Sequence, residues 1–549
     1  MYIQQEIDLS ISLFFDILFV GDCMKIIDTK EVAGLIKDGD TVLISGSGGS
    51  GSPESLIRSV RNSFLDSGHP SNLTVSCGIS PGNLTKDEVG MNMLAKPGLV
   101  GKAICAHLGM GKNFGSAIGS NEFPAFAVPL GVINHLYRAI AGKEVGILTH
   151  IGLNTCADPR MDGCCANDKA RELEPIVSLV NIDGKETLLY KTFPVNVALI
   201  KATFADEDGN LSLEHEGVLG EQYNMAIAVH NSGGIVIAEV SEVKPKHSLK
   251  ARNVQIHASY VDYVVVSKPD ESLGDYNIPI YRPELTGEER IKLDDVKVRE
   301  LDERKVCGRR SALELKKGDV INLGVGMPDS VANVCAEEGI GEDIYLSVET
   351  GVTGGVPIGG VAFGASMNPD AFVTTAEQFD AYNGGCLDMA IVGLAEVDRE
   401  GNVNVSKLGS RITGPGGFIN ITQTTKKVIF MGTFTNGGLD ETIEGGKLII
   451  NSEGEKKKFV NNIAQVTFSS KEAIKNGQQV LYVTERCVFG LTSEGIELLE
   501  IAPGVDLEKD ILANMEFKPI IKNELKIMDK RIFEDTKMGL KTDFVGGSL

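Results

Sequence analysis

The feature that most constrains this sequence is a pattern that occurs twice. Residues 37–44 (KDGDTVLI) match residues 316–323 (KKGDVINL), and each stretch continues into a glycine-containing turn, a proline and a helical pattern. A second pair, residues 205–211 (ADEDGNL) and 397–403 (VDREGNV), follows in the same order, and both members favour turns that enter a further strand. Two repeats in the same order predict two related domains.

Short apolar runs alternate with helical patterns such as 54–65 and 330–338 in both halves. Runs rich in Val, Ile and Leu and bounded by glycine are typical of strands buried on both faces, and intervening helices favour parallel pairing. We therefore predict two related tandem open α/β domains with largely parallel sheets. The predicted strands are Thr41–Ser45, Leu73–Cys77, Val145–His150, Val195–Ala202, Ile235–Val240, Tyr263–Ser267, Val320–Leu323, Ile344–Val348, Met389–Leu394, Val428–Met431 and Val480–Thr484.

The domain limits follow from composition. The apolar run Ile11–Val20 has no Lys or Arg before it and is too short to span a membrane, which argues against a secretory signal and a membrane anchor. We predict that residues 1–23 are an N-terminal extension outside the fold. Residues 24–265 form the first domain, the charged stretch 266–305 connects the two domains, and residues 306–549 form the second.

Charge and cysteine content exclude several classes of function. The 53 basic and 75 acidic residues give a net charge of −22, which disfavours nucleic acid and anionic membranes as partners. A small anionic ligand stays possible, because one local pocket is enough to bind it. The ten cysteines include no Cys-x-x-Cys pair, and the eight histidines lack metal-ligand spacing. These features predict free thiols, a cytoplasmic location and no metal.

Two motifs have structural interpretations. Gly46–Gly51 fits the dinucleotide pattern G-x-G-x-x-G, with Asp66 near the distance expected for a ribose-binding acid. The matching turn of the second half, Gly324–Pro328, lacks this pattern, so strand-to-helix geometry is favoured over NAD binding. His107 is a lone histidine beside an apolar stretch and is interpreted as a core residue.

The most informative segment is residues 347–360 (SVETGVTGGVPIGG). Glu349 follows an apolar strand, and open α/β sheets bind ligands beyond the carboxyl ends of their strands. The glycines that follow allow backbone amides to approach a ligand or to line an oxyanion site. Glu349 is then placed as a nucleophile or a base, and the alternative is a solvated loop acid.

A further glycine cluster, Gly414–Asn420, comes after Lys407 and Arg411. Amide-rich turns beside cations suit a phosphate or a carboxylate, and the alternative is an ordinary tight loop.

A series of short motifs runs in order along the chain from Met24: IAGK at 140–143, HIGL at 150–153, AD at 205–206, GN at 209–210, VETG at 348–351, FGAS at 363–366, NVNVSK at 402–407, GGFIN at 416–420, YVTER at 482–486 and IAPGVDL at 501–507. With these motifs the chain resembles the family I coenzyme A transferases, in particular the fused single-chain type that includes propionate and acetate CoA-transferases. The resemblance implies that both halves are CoA-transferase domains.

The resemblance also implies a reaction. Coenzyme A would pass between a short-chain acyl-CoA and a carboxylic acid such as acetate, propionate or butyrate. The mechanism would be ping-pong, through a glutamyl-CoA thioester on Glu349 in the second domain. It implies no cofactor, because CoA thioesters are substrates, and it implies a homo-oligomer, either a dimer or a tetramer. The residues implied to bind CoA and substrate are Gly324, Val325, Gly326, Met327, Pro328, Gly351, Lys407, Gly416 and Gly417.

Two alternatives stay open beside this function. An acyl-CoA hydrolase would use the same Glu349 with water as the acceptor, and a non-catalytic sensor of acyl-CoA or sugar phosphates would share the fold.

Two departures from the family pattern bear on specificity. Leu130 and Cys386 stand where relatives tend to have Gln and Gly. They predict an altered acyl pocket that favours a more apolar acid.

Overall fold

The computed structural model describes residues 24–83, 85–267, 281–292, 299–359 and 362–546. The predicted extension, 1–23, lies outside these residues, as do parts of the predicted connection, so the domain limits stay a prediction. Strands of one principal sheet lie between Lys25 and Val266, and strands of the other lie between Val320 and Ile527. The predicted α/β class with two largely parallel sheets is confirmed.

The first principal sheet has eight strands, and every neighbouring pair in it is parallel. Its central strands are almost entirely buried, as expected for Val/Ile/Leu-rich runs covered on both faces. In spatial order the strands are Lys25–Ile26, Tyr263–Val266, Ile235–Val240, Val197–Lys201, Thr41–Ile44, Leu73–Ile79, Val100–His107 and Ala125–Ala127.

The second principal sheet has ten strands. Its five central strands are parallel, and antiparallel strands extend it on both sides. In spatial order they are Ala371–Phe372, Val352–Thr353, Tyr345–Val348, Val320–Leu323, Met389–Gly393, Lys427–Met431, Gln479–Val483, Cys487–Thr492, Gly495–Ile501 and Ile520–Ile527.

Helices connect the parallel strands, and one hydrophobic core runs through both halves. None of the helices in the described ranges has the length and apolar character needed to cross a bilayer. The α-helices are Glu54–Ser67, Lys112–Gly119, Leu130–Ala141, Asp168–Arg171, Gln222–Asn231, Pro283–Thr286, Glu303–Ala312, Asp329–Glu338, Thr375–Asn383, Phe418–Thr424, Ser470–Lys475 and Leu540–Gly546.

Shorter strands form hairpins and small sheets at the sheet edges. One predicted strand, Val145–His150, belongs here: Gly146–Thr149 pairs antiparallel with Lys185–Lys191 in a separate three-stranded sheet that also holds Val177–Ile182. The other small strands are Phe204–Asp206, Leu211–Ser212, Glu242–Lys244, Val254–Ile256, Val356–Pro357, Ser366–Met367, Glu396–Val397, Val403–Asn404, Lys407–Leu408, Arg411–Ile412, Thr435–Asn436, Asp440–Glu444, Lys447–Ser452 and Lys456–Lys457.

The sequence repeat corresponds to a repeat in the strand register. Ser76 pairs with Leu43, and Ser347 pairs with Asn322. Because Leu43 and Asn322 hold the same place in the repeated stretch, Ser76 and Ser347 are equivalent. Two residues further on, Gly78 in the first half is therefore equivalent to Glu349 in the second.

The second repeat forms the same hairpin in both halves. Asn210 donates its backbone N–H and its side-chain amide to the Asp206 carboxylate, at 2.9 Å each. Asn402 does the same to Asp398, at 2.8 Å each. The predicted turns are confirmed, and each one joins two short antiparallel strands.

Candidate active site

Glu349 lies where the central strand Tyr345–Val348 ends, and only 9% of the residue is exposed. Burial raises the pKa of its carboxyl group, because a desolvated carboxylate is disfavoured. Hydrogen bonding by the backbone N–H of Glu349 itself, and to a smaller extent by the Asn322 side chain, lowers the pKa and favours the ionised form. Burial and hydrogen bonding thus have opposing effects on the ionisation of this carboxyl group.

The carboxyl group faces a cavity of about 570 Å³ that both halves line. Of the described lining residues, Glu349 and His107 are the two with titratable side chains. Most of the wall is apolar or glycine, which suits an acyl chain and a thioester better than a second charged group. Apolar lining residues include Ile79 and Met110 from the first half and Phe363, Val392, Val405, Phe418 and Ile421 from the second.

The glycine loop before helix Phe418–Thr424 forms one wall of this cavity. A methyl group added at Gly417 would lie 3.6 Å from Cγ of Glu349, so glycine allows the backbone to lie against the carboxyl side chain. The Gly416 N–H donates to the Ala106 carbonyl at 3.1 Å. Within the part of the chain that the structure describes, the Gly417 N–H has no acceptor. Gly417 is therefore the better candidate for donating to a bound oxygen.

Hydrogen bonds hold the strand beneath Glu349. The Asn322 side-chain amide donates to the Ser347 carbonyl at 3.1 Å and lies 3.4 Å from the Tyr382 hydroxyl. The Ser347 and Tyr382 hydroxyls are 2.8 Å apart, and the Gln378 amide donates to Ser347 at 3.2 Å. This network fixes the backbone from which Glu349 projects.

The structure brings five of the predicted site residues together. Glu349, Gly324, Val325, Gly416 and Gly417 all line the cavity.

Three others, Gly326, Met327 and Pro328, continue the turn that begins at Gly324. This turn leads into helix Asp329–Glu338, where Gly326 donates its N–H to the Asp329 carboxylate at 3.2 Å. They lie beside the cavity and are not part of its lining.

Gly351 and Lys407 do not line the cavity. Gly351 has a φ of 108°, and a Cβ there would lie 1.9 Å from the Val373 carbonyl oxygen, so this position needs glycine for packing. Lys407 begins a half-buried hairpin strand that pairs with Arg411–Ile412.

Comparison with known proteins agrees with this geometry. A family model described as Coenzyme A transferase matches residues 27–267. A caffeate CoA-transferase from Acetobacterium woodii is 44% identical over 523 residues, which cover 94% of this chain and 99% of that protein. This chain belongs to the coenzyme A transferase family.

Three further comparisons support the same family assignment. An acetate CoA-transferase, YdiF, from Escherichia coli K12 is 40% identical over 520 residues, covering 94% of this chain and 96% of that protein. The crystal structure of the acyl-CoA transferase YdiF apoenzyme from E. coli O157:H7 has a TM-score of 0.89 at 38% identity, over 95% of this chain and 98% of that one. A thioester complex of YdiF with CoA has a TM-score of 0.88. The predicted family is confirmed.

Sequence reasoning missed two residues in this CoA-transferase. His107 was interpreted as a core residue, but its half-buried ring lines the cavity. Asn322 replaces the apolar Leu43 of the first half at an equivalent buried position. A polar residue in one copy of a repeat where the other copy has an apolar one was the signal available in the sequence.

The two departures from the family pattern lie outside the cavity lining. Leu130 is buried at the start of helix Leu130–Ala141, where its N–H donates to the Gly416 carbonyl at 2.8 Å. Cys386 is exposed in the turn after helix Thr375–Asn383. Leu130 is therefore joined to the site through the Gly416 backbone, and Cys386 is not among the described residues that line the cavity.

Proposed function

We propose that this protein transfers coenzyme A between an acyl-CoA and a free short-chain carboxylic acid, through a thioester formed on Glu349. The observation that carries the proposal is the position of Glu349. Its buried carboxyl group ends a central strand, faces a cavity lined by both halves and lies against Gly417. The names of the relatives, a caffeate and an acetate CoA-transferase, support the same reaction class.

The reaction balances without a cofactor. A carboxylate oxygen of Glu349 attacks the thioester carbonyl carbon, the C–S bond breaks, and CoA leaves as a thiolate. The thiolate then attacks the Glu349 carbonyl carbon of the resulting anhydride, which releases the carboxylate of the first acid and leaves a glutamyl-CoA thioester. The acceptor carboxylate reverses both steps. Covalent catalysis divides one difficult transfer into easier ones, and no net proton is taken up.

Burial of Glu349 serves this chemistry. A carboxylate in a desolvated site is disfavoured, whereas an anhydride or a thioester carries no charge and loses little on burial. The cavity therefore favours the covalent states relative to the free carboxylate. Binding of CoA at groups remote from the reacting carbon supplies the rest of the driving force.

In this proposal the turn Gly324–Pro328 contacts the CoA end of the substrate, and the Gly417 N–H donates a hydrogen bond to the reacting carbonyl.

The proposal also includes the limits of the two CoA-transferase domains, residues 24–265 and 306–549, with residues 266–305 between them. It includes self-association as a dimer or tetramer, which light scattering after gel filtration measures. The nine described cysteines are free, which supports a reducing, cytoplasmic location.

An acyl-CoA hydrolase with the same nucleophile is the second candidate, and one assay separates the two. Purified protein is incubated with butyryl-CoA, with and without acetate, and both butyryl-CoA and acetyl-CoA are quantified. CoA transfer predicts that, without acetate, no more butyryl-CoA is consumed than the enzyme thioester requires, and that with acetate its consumption continues and acetyl-CoA forms in equal amount. Consumption at the same rate without acetate, with free CoA as the product, would establish hydrolysis instead.

A further inference from the structure

Among the described lining residues of the first half, His107 is the one with a titratable side chain, and the proposed reaction has not yet used it. It ends the buried strand Val100–His107 and lines the same cavity as Glu349. A methyl group added at Gly416 would lie 3.5 Å from Cδ2 of His107, the ring carbon bonded to Nε2. The Cδ2 side of the ring, opposite Nδ1, therefore faces the glycine loop whose next residue, Gly417, contacts Glu349.

The protonation of this ring follows from its contacts. The Gly109 N–H donates to Nδ1 at 3.3 Å, so Nδ1 is the acceptor and a neutral ring carries its proton on Nε2. Burial lowers the pKa of His107 to about 4, and the nearby positive charge of Arg411 acts in the same direction. At neutral pH the side chain is thus an uncharged N–H donor.

Backbone hydrogen bonds fix His107 relative to Gly417. Leu108 donates to the Thr413 carbonyl at 2.7 Å, and Gly416 donates to the Ala106 carbonyl at 3.1 Å. These two bonds involve the residues immediately before and after His107, and they join this part of the strand to the glycine loop of the other half. Donors held in this way need no reorganisation when charge develops on a substrate, which is the requirement for an oxyanion site.

We propose that the Nε2–H of His107 and the N–H of Gly417 together bind the acyl carbonyl oxygen of the substrate and stabilise the oxyanion that forms when Glu349 attacks. The proposal rests on the proposed CoA transfer and makes His107 a catalytic residue of it. One half of the molecule supplies the side-chain donor, and the other supplies the nucleophile and the backbone donor. Leu130, buried behind Gly416, offers no such donor.

An uncharged donor has an advantage here over a cation. A lysine or arginine in this cavity would attract the free Glu349 carboxylate and stabilise the ground state. A neutral imidazole N–H interacts most strongly with the charge that appears in the transition state, and it is this difference that accelerates the reaction.

The test compares His107→Phe, which keeps a flat ring and loses the donor, with His107→Gln, which keeps a side-chain N–H. His230→Phe is the matched control, because His230 is exposed at the end of helix Gln222–Asn231. Steady-state kinetics with butyryl-CoA and acetate are measured for all three, with circular dichroism as the check of folding. Removal of one oxyanion donor predicts a fall in kcat of about 100-fold or more for His107→Phe, with KM for butyryl-CoA nearly unchanged. We expect His107→Gln to recover most of kcat, and His230→Phe to match the wild type.

The outcomes separate this inference from the proposed function. Wild-type protein that transfers CoA, with a His107→Phe variant of equal kcat, would overturn the role of His107 alone. Equal loss of kcat in the Phe and Gln variants would also overturn it, because shape and not the donor would then matter. If His107→Phe fails to fold, His107→Met replaces it in the same comparison. Absence of acetate-dependent transfer in the wild type would instead contradict the proposed function.

Discussion

Glu349 must meet two opposing demands at the scale of a single residue. In the proposed reaction it has to be ionised to attack a thioester, yet it lies in a cavity that disfavours its charge. Asn322, beside it on the neighbouring strand, offsets part of this penalty by hydrogen bonding to the ionised form. The residue is thus less stable in its reactive form than it would be in water, a common trade-off at functional sites.

This trade-off predicts that Glu349→Gln stabilises the fold in a pH-dependent way. Because the pKa of Glu349 is raised in the native state, native protein keeps a proton at pH values where the unfolded chain has lost it. Stability therefore falls as pH rises from the ordinary range of a glutamate through the raised pKa. Above that range the wild type carries the full cost of a buried charge, which the Gln variant lacks. We expect a higher Tm for Glu349→Gln at pH 8 and a smaller difference at pH 5.

Differential scanning calorimetry at the two pH values measures this effect. Glu174→Gln, at an exposed carboxyl group, is the control for a change of net charge alone. A Glu349→Gln variant that is less stable than the wild type at pH 8 would contradict the account of this residue.

Candidate site residues could be predicted from the sequence only where the local pattern was unusual. Glu349 was singled out because it stands between an apolar strand and a glycine loop, and the structure places it in the cavity lining and not in a solvated loop. The place of His107 in the cavity could not be predicted, because its stretch ends like any buried strand, and its proposed role depends on contacts with Gly109 and Gly416. The contact with Gly416, which lies in the other half of the chain, leaves no signal in the local sequence.

At the scale of secondary-structure elements, the two halves carry the same strand-to-helix bond. The Ser76 and Tyr137 hydroxyls are 2.9 Å apart in the first half, and those of Ser347 and Tyr382 are 2.8 Å apart in the second. Both tyrosines are fully buried. The bond is therefore part of the shared architecture, whereas Asn322 and Glu349 are specific to the second half.

This internal repeat provides a matched pair of variants. Tyr137→Phe and Tyr382→Phe each remove one buried hydrogen bond, and each is expected to lower the free energy of unfolding by about 1 kcal/mol. Only Tyr382 also lies within reach of Asn322, so we expect Tyr382→Phe alone to lower kcat, by about 10-fold. Urea unfolding and steady-state kinetics of both variants measure the two effects. Equal kcat values for the two variants would show that the network does not position Glu349.

Most central strands of the two sheets could be predicted from apolar runs, whereas strands outside the sheet centres could not. Ile235–Val240 and Val320–Leu323 have the predicted bounds. The strand predicted at Val145–His150 is present as Gly146–Thr149 but lies in a separate antiparallel sheet with Lys185–Lys191, because an apolar run does not specify which sheet it joins. Val100–His107 was missed, because Gly101 and Lys102 interrupt its apolar pattern.

At the scale of the whole molecule, the site exists only where the two halves meet. Asn420, fully buried, accepts a hydrogen bond from the Gly131 N–H of the first half at 3.1 Å. Gln423 accepts one from the Gly152 N–H at 2.7 Å. These bonds fix the helix that begins after Gly417 against the half that carries His107. The sequence repeat predicted two domains, but the pairing of their surfaces could not be predicted from it.

Asn420→Ala tests how much the site depends on this contact. The substitution leaves the buried Gly131 N–H without an acceptor, which is expected to cost about 1–3 kcal/mol of stability and to lower kcat. Arg138→Ala is the control, because the Arg138–Asp380 ion pair also joins the halves but is about half exposed. Such a pair contributes about 1 kcal/mol or less. Urea unfolding with parallel kinetics decides the matter, and an Asn420→Ala variant with unchanged kcat would contradict the role of this contact.

The net charge of −22 now bears on substrate approach. CoA and carboxylic acids are anionic, so the overall field of the molecule opposes their entry. The cavity contributes amide and imidazole donors and one carboxyl group. We therefore expect substrate binding to depend on short-range hydrogen bonds and not on the overall electrostatic field.

The most direct test of the central claim is to locate the covalent intermediate. The protein is incubated with butyryl-CoA in the absence of an acceptor acid, treated with borohydride to reduce any thioester, digested, and analysed by mass spectrometry, with Glu349→Gln as the control. The account predicts modification of Glu349, within the peptide that contains residues 347–360, and none in the Gln variant. An acyl-CoA-dependent modification at another residue, or wild-type CoA transfer without any modification of this peptide, would contradict it.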